Sequence, residues 1–239
     1  MAYTTIDDPT QYFVTVLYTG NDTARTITTG LETTDFIWNK RRDSSGDHLL
    51  YDKVRGINID LNSNSTEADE TQTGTVTAFG TNSFSLGTHG GTNASGETKV
   101  NWCWSAGGTT GSSNSNGSIT STVSANTTAG FSIVSYSGNG TSGATVGHGL
   151  GVVPKMIIVK RRDSARNWTV YHQGTANTHG LTLNTADAKV DSDSYWNDTT
   201  PSSTLFTLGN GSNVNNGSGT YIAYCFAEIK GYSKFGSYT

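Results

Sequence analysis

Five histidines, nineteen acidic residues and two cysteines are this chain's means for acid–base, metal or nucleophilic chemistry. Their spacing limits what they can assemble. His48, His89, His148, His172 and His179 fall in no HxxxH or HExxH pattern, so no helix face offers two imidazoles to one metal ion. Serine is abundant, yet no GxSxG is present to raise a nucleophile on a sharp strand-to-helix turn. Glycoside cleavage needs two carboxyl groups flanking one bond, and the acidic residues are scattered through turn-rich stretches with no pair marked out. The densest oxygen cluster is Asp187, Asp191, Asp193, Asn197 and Asp198, echoed earlier by Glu67, Asp69 and Glu70. It lacks the spacing of a calcium loop and reads as a solvated turn. The expectation is a protein that is not an enzyme, with no catalytic residue, no cofactor and no metal site.

Two features suit surface binding instead. Tyr195 and Trp196, together with Trp168, are rings on which a sugar could stack. The pentapeptide KRRDS at 40–44 returns at 160–164, each time after an apolar run. Arg41, Arg42, Arg161 and Arg162 would then either guard strand ends against aggregation or present a basic site for phosphate or carboxylate twice. A net charge of −4 without a Lys/Arg-dense stretch argues against nucleic acid as a partner. The longest apolar stretches, such as Met156–Val159, are far shorter than the ~20 residues of a membrane helix, and the N-terminus lacks a signal pattern. The expected chain is soluble, unprocessed and not inserted in a membrane.

The elements that must carry these residues are strands. Gly, Ser, Thr and Asn make up 115 of 239 residues and only 14% are charged, a profile that favours turns and strands over helices. Self-similarity organises the pattern. Phe13, Val16, Tyr18, Gly20 and Asn21 recur 118 positions later, KRRDS and Tyr51 recur at 120, and Phe84, Gly87 and Cys103 recur at 122. Ordered matches with a slowly growing offset indicate one duplicated unit with small loop insertions. The fold expected is all-β, two tandem β-sandwich units of jelly-roll type, at 1–108 and 130–231. Residues 109–129 read as a Gly/Ser/Thr/Asn-rich linker, and 232–239 resemble the start of a third unit. Ser65–Thr73 and Thr185–Ser192 are the nearest approach to a helical turn. In the last strand of each unit, Val100, Trp102 and Trp104, like Ile222, Tyr224 and Phe226, alternate with Cys103 or Cys225. The ring-bearing side is expected to face the sandwich core and the small side another layer, with both cysteines free and buried.

The segments 35–56, 118–141, 147–163 and 204–239 resemble a repeat found in virion proteins of tailed phages, especially marine cyanophages, and cover nearly the whole chain. Such proteins are often labelled tail fibre or structural. The resemblance implies a virion component, made in the host cytoplasm, acting as a homo-oligomer among other virion proteins, and it carries over no site residue. A capsid decoration or head fibre, a lectin-like module gripping host-surface glycan, and a glycan-degrading depolymerase are the competing expectations.

Overall fold

β-Branched and aromatic residues alternating with polar ones, punctuated by Gly and Asn, leave little choice but short antiparallel strands. The computed structural model describes residues 4–238. Strands hold 41% of the chain and helices 6%, and the fold is an all-β sandwich. Among the described residues, no helix is long and apolar enough to cross a membrane.

The chain divides into two compact units. The N-terminal unit, residues 8–64 and 69–110, contains β1 (Phe13–Thr19), β2 (Arg25–Thr28), β3 (Phe36–Arg41), β4 (His48–Asp52), β5 (Ile59–Asn62), β6 (Glu70–Thr71), β7 (Val76–Gly80), β8 (Ser83–Leu86), the single turn α1 (Gly90–Asn93) and β9 (Thr98–Trp104). Its large sheet runs β1-β9-β3-β4-β5-β6, and β2-β8-β7 form the second layer. The C-terminal unit comprises residues 4–7, 65–68 and 111–238. It holds β10 (Ser112–Asn114), β11 (Ser121–Asn126), β12 (Phe131–Ser137), β13 (Ala144–Gly147), β14 (Pro154–Arg161), β15 (Thr169–His172), β16 (His179–Thr182), β17 (Val190–Asp191), α2 (Asp193–Trp196), β18 (Leu205–Leu208) and β19 (Thr220–Ala227). Here the order is β10-β11-β12-β19-β14-β15-β16-β17, opposed by β13-β18.

From β12 onward the second order repeats the first, and the same bonds hold corresponding places. The Tyr18 hydroxyl donates to the Thr92 carbonyl at 2.6 Å, and the Tyr136 hydroxyl to the Val214 carbonyl at 2.7 Å. Asn93 Nδ2 donates to the Thr23 and Gly87 carbonyls; Asn215 Nδ2 donates to those of Thr141 and Gly209. Gly20 and Gly138 sit where a Cβ would lie 2.0 Å from the Ala94 oxygen and 2.4 Å from the Asn216 oxygen, so neither turn admits a side chain.

The cores lie on the cysteine side of the large sheets, opposite to the expectation. Cys103 is buried among Ile27, Leu31, Ile37, Tyr51, Phe84 and Leu86, and Cys225 among Val134, Ile157, Tyr171, Phe206 and Leu208. The reason is steric. The second layer and flanking strands contribute large side chains, and two sheets about 10 Å apart close only if the central strand is small there. Both cysteines are free, and burial pushes the Cys225 thiol up to about 12.

Three further expectations change. The segment 109–129 contains β10 and β11, which extend the C-terminal sheet beside β12, because Val123 and Ile119 find buried places there despite the polar composition. The α-helical turns stand at 90–93 and 193–196, where His89 and Ser192 cap them, and 3-10 turns at 9–11 and 173–175, none of them at 65–73 or 185–192. At the C-terminus, 234–238 form no strand; the Phe235 carbonyl accepts from Gln173 Nε2 at 2.8 Å and its ring lies 6.4 Å from Phe226.

Candidate functional site

With the core on the cysteine side, the ring-bearing face of the N-terminal sheet is its outer face. Strand register assembles it. Phe13 of β1 and Phe36 of β3 flank Trp104 of β9, and Trp102 lies opposite Trp38. The Phe13 and Phe36 rings lie 4.7 and 5.2 Å from Trp104, and Trp38 meets Trp102 edge-on at 6.4 Å. Trp38 Nε1 donates to His48 Nδ1 at 2.9 Å, which fixes the imidazole as an acceptor there. Partial burial, with Lys40 adding to it, holds the His48 pKa below its ordinary value. The His48 backbone N–H is in turn held by Asn64 Oδ1 at 2.8 Å.

Phe13, Trp38, His48, Trp102 and Trp104 line an open trough of about 360 Å³. All five are only partly buried, and Leu17 on the same face is 56% exposed. Aromatic area left in contact with water at about 25 cal/mol per Å² is a standing drive toward a flat apolar or amphipathic partner. Trp38 Nε1 and His48 Nδ1 engage each other, and the rest of the lining is aromatic ring, so its chemistry is recognition by stacking and burial.

The seven residues singled out from sequence do not gather into one site. Trp168 is 0% and Trp196 1% exposed, so neither stacks on a surface ligand. Trp168 lies over Tyr224 with centroids 6.5 Å apart, and Trp196, carried by α2, meets Tyr171 edge-on at 5.8 Å. Aromatic rings in a chain this poor in large apolar residues are drawn into packing first. Tyr195 is half-buried, its ring filling the space a Cβ at Gly180 would need. Arg41 pairs with Asp43 at 2.6 Å and Arg161 with Asp163 at 2.7 Å, and each arginine holds its partner carboxyl below the usual range. The backbone N–H groups of Arg42 and Arg162 close the strand end onto the Thr98 and Thr220 carbonyls, both at 2.8 Å. The basic pentapeptide is thus a twice-used strand terminus whose first arginine carries its own counter-charge. Arg42 remains exposed.

Sequence reasoning missed the trough. Its signal is the spacing of Trp102 and Trp104, two residues apart on one strand face, a face that hydrophobicity alone places in the interior. The acidic loop is dispersed: Asp191 lies in β17, Asp193 opens α2, and Asn197 accepts from Ser142. Among the described residues, no three His, Cys, Asp or Glu side chains converge as a metal site would require.

Fold and face together define a β-sandwich protein of two units, one of which presents an aromatic sheet face. The chain belongs to the family described as a domain of unknown function (DUF7483), whose model matches residues 8–239. No curated protein and no solved structure matches the chain.

Proposed function

We propose that the chain is a non-enzymatic structural subunit of a tailed-phage particle, a tail fibre or similar surface appendage, built from a duplicated strand module and working by sheet-face packing. The observation that carries this reading is the open ring-bearing trough on a low-charge sandwich that buries Trp168 and Trp196 in its packing. Such a face is a cost for an isolated molecule and an asset for a part that assembles. The recurrence of the Tyr18/Tyr136 and Asn93/Asn215 bonds supports the duplication. The resemblance of 35–56, 147–163 and 204–239 to phage virion repeats supports the setting.

Antibody labelling of purified particles from a phage that encodes the chain tests it. Label on the tail or its appendages is the expected result. Label on the shell would favour a capsid decoration, and particles without the chain would overturn the reading.

A further inference from the structure

The C-terminal unit shows what the outer sheet face can receive. Lys160, 0% exposed, donates from Nζ to the Arg161 carbonyl at 2.7 Å and to the Thr66 carbonyl at 3.2 Å. The Arg166 N–H reaches the same Thr66 carbonyl at 2.8 Å. One carbonyl of the short loop 65–68, which belongs to the same compact unit, therefore takes two donors on the sheet face that carries Tyr224.

Shifting these positions back by 120 gives Lys40 and Gly46 in the N-terminal unit. Lys40 Nζ makes the corresponding bond to the Arg41 carbonyl at 3.0 Å but is only half-buried. Gly46 is exposed, and its N–H has no backbone acceptor among the described residues. The loop that corresponds to 65–68 is 185–188, and it has the same internal shape. Glu67 N–H donates to Ser65 Oγ at 3.3 Å and Asp187 N–H to Thr185 Oγ1 at 3.3 Å. Asn64 and Asn184 anchor the two loops identically, accepting from the backbone N–H of His48 at 2.8 Å and of Trp168 at 2.9 Å. Residues 185–188 are exposed throughout, with exposed Leu183 and Val190 on either side.

Each copy thus carries one seat that its own loop occupies, one matching seat open to solvent, and one matching loop open to solvent. We propose that the 185–188 loop of a second copy docks on the Lys40–Gly46 seat, its Ala186 carbonyl taking the role that Thr66 plays at Lys160, and that the joined copies cover the aromatic trough. Asp187 would meet Lys40 and Arg42, so charge favours the same pairing. Donor and acceptor surfaces differ, so the contact is heterologous and propagates head to tail, unlike a two-fold dimer. This deepens the assembling-subunit reading and rests on it.

Sedimentation velocity of the full chain over a range of concentrations tests the proposal. The mass should climb with concentration, and Asp187→Lys and Trp102→Ser should each weaken association about thirtyfold, the effect of losing a central contact. Asp187 lies on an exposed loop, so its variant keeps the fold. A one-to-one mixture of the two variants retains a single competent junction and should stop at dimers. A chain that stays monomeric at every concentration, association indifferent to Asp187→Lys, or a mixture that grows past dimers would overturn the proposal. So would a soluble glycan that shifts the indole fluorescence while the mass remains that of a monomer. Particle labelling decides the virion reading separately, so the two can fail independently.

Discussion

The outer faces of the two large sheets are built to one register and end in opposite states. On the N-terminal sheet, Trp38, His48 and Trp102 are partly open to solvent; on the C-terminal sheet their counterparts Ile158, Trp168 and Tyr224 are buried. The lysine at the edge follows suit, half-buried at 40 and fully buried at 160. The inner faces, by contrast, are alike, with a buried cysteine, a hydroxyl-to-carbonyl bond from a tyrosine, and an asparagine bridging two loops in each unit. The two units thus share their inner faces and differ on their outer ones.

The largest effect that would break this contrast is at Trp168. Truncation to Ala removes a fully buried indole and should cost about 3–5 kcal/mol in urea unfolding, whereas His48→Ala at the matching place should cost about 1 kcal/mol or less. Equal losses would mean that the two faces are not in different states.

The inner faces should respond alike. Asn93→Ala and Asn215→Ala each leave loop carbonyls without their donor and should each destabilise by about 2–3 kcal/mol in the same assay. A large asymmetry would show that the shared bonds carry unequal weight.

Charge burial separates the units next. In the N-terminal unit, Arg55 Nε pairs with Asp52 at 2.5 Å with both side chains buried, and Asp60 lies nearby; positions 172, 175 and 180 hold His, Thr and Gly instead. Desolvation raises Asp60 from 3.8 to about 6, with Arg55 opposing. The folded state therefore binds this proton more tightly than the unfolded chain does. That advantage is complete below about pH 4 and is lost as pH rises through 6. Asp60→Asn should add about 2 kcal/mol at pH 7.5 and little at pH 4, read from thermal melts at both pH values.

The smallest expected effect is spectroscopic. His48 has its pKa depressed, so its contribution is present above the ordinary imidazole range and lost as pH falls below it. Protonation at Nδ1 removes the acceptor for Trp38 Nε1. Indole emission should shift on acidification below the ordinary imidazole range in the wild type. In His48→Gln that step should be absent. Lys40 disfavours and Asp47 favours the protonated form, so replacing either should move the midpoint in opposite directions.

Much of the fold was legible because strand signals are local. The β1 and β12 spans, 13–19 and 131–137, follow from alternation and from the turns that Gly20 and Gly138 close. Strands β2, β10, β11 and β13 escaped because Arg25–Thr28, Ser112–Asn114, Ser121–Asn126 and Ala144–Gly147 are mostly Thr, Ser, Ala or Asn and look like loop until a neighbour supplies hydrogen bonds. The candidate site was half legible. Trp102 and Trp104 stood out as paired rings, but Phe13, Trp38 and His48 joined them only through strand pairing, from positions as far as 91 residues away. Trp168 and Trp196 were misplaced because ring type says nothing about which side of a sheet meets water.

By itself, the sequence determined the all-β composition, the recurring order of landmark residues, and the division of each strand into a large-residue side and a small-residue side. Only the tertiary structure decided which side faces the second layer. A period of two labels two faces without ranking them. The ranking depends on how much volume the opposing strands bring, and at Cys103 and Cys225 they bring enough that the small residue faces the second layer and the neighbouring rings face away from it.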